Sequence, residues 1–277
     1  MHAARFLVPL ALSAATFAAH PAAALPFLQP HRAVYDLSLE KATDRSGITG
    51  ITGRMVYEFN GSACDGYTVK FRFVTQISTS DNARMTDQQT TTFEDGKGKT
   101  FSFVTKSFID QQLDREVKGT ATKEANGVRV ELDLPQKNTI QLPSTQFPTQ
   151  HLEELIAKAQ KGETFYQTNL FDGSEDADRL MTTTVVVGKR AEPANDDPEL
   201  PALKRLAKEG YWPVDIAYFD ESKPGEGEEL PDYRISFKLH ANGLTRDLTM
   251  DYGDFSIRGK LVNLALFDTA PQKACNQ

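Results

Sequence analysis

The sequence predicts a mainly β fold of at least ten strands, mostly antiparallel, with one or two short helices packed on the sheet. Three observations predict it. Apolar residues recur at every second position over many stretches, Asn-Gly and Asp-Gly pairs stand between those stretches, and the connections are too short for crossovers. Alternation sets one group of side chains on a core face and the other in water. An Asn-Gly or Asp-Gly pair between two such runs is a hairpin signal.

The runs follow in order. Ala33, Tyr35, Leu37 and Leu39 alternate with Val34, Asp36 and Ser38, and Met55, Tyr57 and Phe59 repeat the pattern. Val69, Phe71 and Phe73 come next, then Phe101 and Phe103, then Val128, Val130, Leu132 and Leu134. The C-terminal half supplies Ile216 and Tyr218, then Tyr233, Ile235, Phe237 and Leu239. Leu244, Leu248, Met250 and Tyr252 form a last run, interrupted by Arg246. Asp65-Gly66, Asp95-Gly96, Asn126-Gly127, Asp172-Gly173 and Asn242-Gly243 mark reversals.

One helix is expected over 149–161. Thr149 would cap it, and Leu152, Leu155, Ile156 and Ala159 form one apolar stripe. Glu153 and Glu154 are read into the first turn, Lys158 and Lys161 near the end, with Gly162 as the stop. A weaker helix is expected from about Pro198 to Lys208, capped by Asp197, with Pro201 in its first turn. Residues 191–198 and 220–232 read as acidic, Pro/Gly-rich loops, the second interrupting a hairpin.

Residues 1–24 read as a secretory signal: Arg5, an apolar stretch from Phe6 to Ala19, then Ala22-Ala23-Ala24, with cleavage after Ala24. Export implies an oxidising compartment, and the chain has two cysteines, Cys64 and Cys275, near the two ends of the mature protein. An exported chain with an even cysteine count usually pairs them, so a Cys64–Cys275 disulfide is expected. Closing so long a loop would restrict the unfolded chain by about 5 kcal/mol, less any strain in the folded state. Residues 25–277 read as a single domain. The net charge of −7 becomes one unit more negative without the signal, which carries one basic and no acidic residue. Such a chain has no electrostatic reason to bind nucleic acid or an anionic membrane. No apolar run after the signal approaches the length of a bilayer span, so no transmembrane segment is expected.

Chemistry-bearing motifs are scarce. His31, His151 and His240 are far apart, without metal-ligand spacing, and His151 reads as a surface residue at the helix start. Gly96-Lys97-Gly98-Lys99-Thr100 resembles a phosphate loop, but Phe93 stands where the first glycine belongs and a strand follows instead of a helix. It reads as a hairpin turn. The acidic stretch 172–178 lacks calcium-loop spacing, and no Gly-x-Ser-x-Gly elbow exists. No cofactor, no metal and no enzymatic activity are expected.

Several pieces carry a family resemblance in order: Pro30-His31-Arg32-Ala33-x-Tyr35-x-Leu37-x-Leu39, Gly53-x-x-x-Tyr57-Glu58-Phe59, Cys64-Asp65-Gly66-Tyr67, Phe171-Asp172-Gly173, Trp212-Pro213-Val214-x-Ile216-x-Tyr218-Phe219 and Cys275. Together they resemble the EipB family of periplasmic cell-envelope integrity proteins of alphaproteobacteria. The resemblance implies one strongly bent antiparallel sheet, an open spiral or broken cylinder with helix packed against it. It also implies a Cys64–Cys275 disulfide, a non-enzymatic role in keeping the envelope intact under stress, and a periplasmic tetratricopeptide-repeat protein as partner. A sheet that does not close must manage two edges, for which the charged loops and the clasp are candidate guards. A scaffold that binds a partner protein is the first reading. A carrier of a lipid or other apolar ligand is the second, with Phe71, Phe73, Phe101, Phe103, Phe237 and Tyr252 as the candidate concave face.

Overall fold

Among the described residues, fourteen strands follow one another and join one antiparallel sheet. The computed structural model describes residues 28–174, 177–220 and 230–268. The expected signal, Cys275 and the tip of the 220–232 loop lie outside them. The N-terminal strands are β1 (His31–Ala42), β2 (Ile48–Ser62), β3 (Gly66–Thr79), β4 (Ala83–Glu94), β5 (Thr100–Ile109), β6 (Gln112–Glu124), β7 (Gly127–Leu134) and β8 (Asn138–Leu142). Helix α1 (Pro148–Lys161) then leads into β9 (Phe165–Leu170) and β10 (Met181–Val187). A short α2 (Leu200–Leu203) precedes β11 (Tyr211–Phe219), β12 (Tyr233–His240), β13 (Thr245–Asp251) and β14 (Phe255–Leu266).

The strand order is β8-β7-β6-β5-β4-β3-β2-β1-β14-β13-β12-β11-β10-β9. Every neighbour in sequence is a neighbour in space except β8 and β9, and the chain's first and last strands pair with each other. The sheet is therefore an up-and-down meander that curls but does not close. The backbone of Gln146 bridges toward the far side of the break: its N–H bonds Asn169 C=O and its C=O accepts from Phe171 N–H, both at 2.9 Å.

Register decides which face is buried. Ala33, Tyr35 and Leu37 of β1 lie opposite Tyr57, Met55 and Gly53 of β2, and the same face continues to Phe71, Phe73 and Thr75 of β3. These inward residues share one buried cluster with Val185, Val214, Ile216, Leu239 and Leu248 from the far half of the sheet and with Leu155, Ile156 and Ala159 of α1. A second cluster gathers Phe101, Phe103, Val130, Phe147 and Phe171. Gly173 (φ +68°) permits this packing, because a Cβ there would stand 2.6 Å from the Phe103 ring.

Helix α1 lies across one end of the curl. It reaches Tyr67 of β3, Lys123 of β6, Tyr166 of β9 and Thr183 of β10 through Glu153, Gln150, Lys158 and His151. It begins two residues earlier than a Thr149 cap would start it, and Thr149 is not its cap. Phe147 holds the cap position without a side-chain bond, Pro148 opens the first turn, and Thr149 is buried. With that start no acid falls in the first turn, so Glu153 and Glu154 cannot serve the helix dipole there. Glu94 of β4 does so from outside, accepting Thr149 N–H at 2.8 Å and Gln150 N–H at 3.2 Å. Burial raises the Glu94 carboxyl above its ordinary value, against these bonds. Glu94→Ala should therefore cost about 2 kcal/mol, by leaving helix N–H groups unpaired in a dry place. Glu94→Gln, which keeps an acceptor, should cost less. Urea unfolding of the pair checks this, and equal losses would mean that the acceptor is not what holds the helix.

The second helix is shorter than expected. One turn, Leu200–Leu203, is followed by a 3-10 turn over Lys204–Leu206, and Glu199 takes the cap position. Asp95 satisfies the suspected phosphate loop from within. Its carboxylate accepts the N–H groups of Lys97 (2.8 Å), Lys99 (2.9 Å) and Thr100, so those amides have no free N–H left to offer an anion.

Candidate functional site

Two regions stand out: the concave face at the open end of the curl, and a buried ionic cluster under α2. The concave face carries Phe71 and Phe73 on β3, stacked with centroids 6.0 Å apart. Toward the end away from α1 it opens into a cleft of about 300 Å³. Phe73, Ile77 and Ile109 line one side of it, and Tyr252, Phe255 and Ile257 the other. A ladder of rings leads along the inner face to this mouth: Tyr218 to Tyr233 at 5.4 Å, Tyr233 to Tyr252 at 5.0 Å, and Tyr252 to Phe255 at 5.0 Å. Burial raises the phenols of Tyr218, Tyr233 and Tyr252, so they remain neutral hydroxyls at physiological pH. A second groove, of about 390 Å³, runs beside the exposed Arg72–Asp87 ion pair and is walled mostly by polar side chains.

The structure divides the six candidate concave residues. Phe73 and Tyr252 line the cleft, and Phe71 stands behind Phe73. Phe101 and Phe103 are fully packed against Phe147 and Phe171 and belong to the second core cluster. Phe237, opposite Val214, belongs to the main core. Sequence periodicity placed all six on one face, but it carries no information on how deep along the strand the filling reaches.

Cys64 sits in the turn between β2 and β3, where its N–H approaches Ser62 Oγ at 3.3 Å. The end of β14 lies at the same end of the sheet, since His31 pairs with both Leu266 and Phe59.

The ionic cluster was invisible as such in the sequence. Arg246, which breaks the alternation of β13, points inward and is fully buried. Its Nη1 bonds Asp197 at 2.8 Å and Glu199 at 3.0 Å, and its Nε donates to His240 Nε2 at 3.0 Å. The guanidinium lies over the Tyr211 ring at 5.1 Å. Glu199 also accepts Leu261 N–H (2.6 Å) and Asp247 N–H (3.1 Å), filling the place where the β13–β14 ladder ends. Lys238 bonds Asp197 at 3.2 Å and Asp247 at 2.9 Å. The acidic 191–198 loop is thus pinned into the fold and guards neither edge of the sheet. Hydrogen bonds from Glu199 N–H, Arg246 and Lys238 outweigh burial and hold the Asp197 carboxyl below its ordinary value.

Burial drives all three described histidines toward the neutral form: His31 is lowered, and His151 and His240 fall to about 4. His151 is not the surface residue expected. It lies beneath α1 with Nε2 3.4 Å from Thr183 Oγ1. Among the described residues no group of three or more His, Cys, Asp or Glu is placed to hold a metal ion, and no helix is long and apolar enough to cross a membrane.

A family model described as EipB-like matches residues 22–268. The cell envelope integrity protein EipB of Brucella abortus (strain 2308) is 58% identical over 247 residues, 89% of this chain and 87% of that protein. A crystal structure of a beta-barrel-like protein, domain of unknown function DUF1849, from Brucella abortus superposes with a TM-score of 0.83 at 56% identity, covering 88% of this chain and 100% of that one.

Proposed function

Because the chain belongs to the EipB-like family, we propose that it supports cell-envelope integrity as a non-enzymatic periplasmic scaffold that binds a partner protein. The observation that carries this reading is the 58% identity to a protein named for envelope integrity. The partner implied by the family resemblance is a periplasmic tetratricopeptide-repeat protein. Delivery to the periplasm would use the signal ending at Ala24.

In this reading a Cys64–Cys275 disulfide clasps the curled sheet. Two strand spacings and a few residues of β2 separate the end of β14 from the Cys64 turn. The seven residues that follow Asp268, up to Cys275, reach about 20 Å or more when extended, enough to cover that distance. The double variant Cys64→Ser with Cys275→Ser should lose about 2–5 kcal/mol of stability and survive envelope stress poorly. Wild-type melting and wild-type survival would together remove the clasp.

The cleft of about 300 Å³ favours a second reading, carriage of a lipid or other apolar molecule against Phe73 and Tyr252. Organic extraction of protein purified from its native compartment tests it. An extract with no enriched lipid would end that reading and leave the scaffold standing.

A further inference from the structure

The break between β8 and β9 leaves two sheet edges, and they are not alike. β8 is short and is blunted by Pro135, Lys137 and Pro143 around it, the devices by which sheets avoid unwanted pairing. β9, Phe-Tyr-Gln-Thr-Asn-Leu, has no charge and no proline. Val187 N–H bonds Thr164 C=O at 2.9 Å. From there the alternation of an antiparallel ladder turns the backbone groups of Tyr166 and Thr168 toward β10 and those of Phe165, Gln167 and Asn169 to the open edge. Gln146 takes the Asn169 C=O. Among the described residues nothing bonds the N–H and C=O of Phe165 or Gln167. On the outer face beside them, Phe165 and Val186 lie directly opposite each other and are 59% and 46% exposed.

We propose that the open edge of β9 is a strand-addition site for a short extended segment of another protein, paired with Phe165–Gln167. The segment carries an apolar β-branched or aromatic residue that covers Phe165 and Val186. The structure already contains one such pairing in miniature, the parallel bridge of Gln146 to Leu170. Gln146 also argues against a second copy of this chain. A two-fold antiparallel pairing of β9 with itself about Gln167 sets the partner's Phe165 opposite Asn169, where Gln146 sits. Strand addition of this kind takes affinity from main-chain bonds and specificity from alternate side chains. The inference rests on the scaffold reading, since it supplies that scaffold with a contact surface.

The test places a photo-crosslinking amino acid at Phe165 of the full chain in its native cell, with the same group at Leu113, 54% exposed on β6, as control. The expected result is an adduct from position 165 alone, mapping to one segment of one protein. A synthetic peptide of that segment then binds the purified chain. Gln167→Pro and Phe165→Lys each weaken it at least tenfold without changing the melting temperature. Proline is tolerable at 167 because that N–H makes no ladder bond. Absence of an adduct, equal adducts at both positions, an adduct to a second copy or to residues 269–277, or peptide binding that ignores both variants would each overturn the proposal. Survival under envelope stress separates the two levels. If deleting the whole chain leaves survival unchanged, the envelope reading fails. If deletion lowers survival and Gln167→Pro does not, the edge site alone fails.

Discussion

Arg246→Ala should remove about 3–5 kcal/mol of stability, because it takes the cation from the buried Glu199 and leaves the buried Asp197 with Lys238 alone. That is a large share of the roughly 5–15 kcal/mol by which a typical domain is stable. The side chains of Asp197 and Glu199 are 3% and 2% exposed, so neither has water to replace the guanidinium. Glu199 would keep its bonds from Leu261 N–H and Asp247 N–H, but its charge would stand in a dry site without the guanidinium beside it. The loss would spread from there. Glu199 stands where β13 and β14 part, and Tyr35 Oη, which donates to Thr245 C=O at 2.6 Å, crosses the same region. Lys238→Ala offers the contrast: its ammonium keeps access to water, and its removal should cost about 1 kcal/mol or less. Urea midpoints of the two variants read the difference. An Arg246→Ala midpoint equal to that of Lys238→Ala would show that the buried cluster does not hold the fold.

Acidification from pH 6.5 toward 4 should destabilise the protein steeply. His151 and His240 are neutral in the folded state down to about pH 4, while the unfolded chain protonates them near 6.5. In that window the unfolded state binds more protons, so stability falls as pH falls. The full difference is about 3 kcal/mol for each of the two, and His31, also lowered, adds in the same direction. His240 shows why the charge is excluded. Its Nε2 accepts from Arg246, and a proton there would face the guanidinium. Arg190 and Lys238 oppose the charge further, and Asp197 favours it. Glu94 works in the opposite sense, since its raised carboxyl takes up a proton in the folded state first and offsets part of the loss. Melting temperature measured from pH 7 to pH 4 checks the slope, and His151→Gln with His240→Gln should flatten it by more than half. A slope unchanged by the double variant would assign the acid sensitivity elsewhere.

The β class, the hairpins and α1 were legible in the sequence because alternation and turn chemistry are local. Val69 and Phe71, or Asn242-Gly243, announce themselves within a few residues. Arg246 was legible only as an interruption, because its acidic partners stand almost fifty residues upstream, where Asp197 reads as a helix cap and Glu199 as part of the weaker helix. Glu94 stands just before the Asp95-Gly96 reversal, with nothing to link it to a helix start far along the chain. Thr149 looked like the cap because cap residues are recognised by type, whereas here a carboxylate from another strand took the role. Of the six aromatics read as a candidate concave face, only tertiary packing could say that Phe101, Phe103 and Phe237 fill the core while Phe73 and Tyr252 line a cleft. The curl itself came from family resemblance, since strand spacing alone does not encode how a sheet bends.

The pairing of β1 with β14 has a consequence for the order in which this fold can be built. Strands β1 to β8 form a meander of local contacts that can assemble as the chain lengthens. The ladder that joins this half to the other half belongs to the first and the last strand, the largest separation in sequence the chain allows. Such contacts carry the greatest loop-closure cost and form late. Until β14 is delivered, β1 presents a twelve-residue edge with no partner, the kind of surface on which incomplete chains associate. The chain is therefore most in need of protection until β14 joins β1, and a truncation that removes β14 exposes a seam in the middle of the sheet.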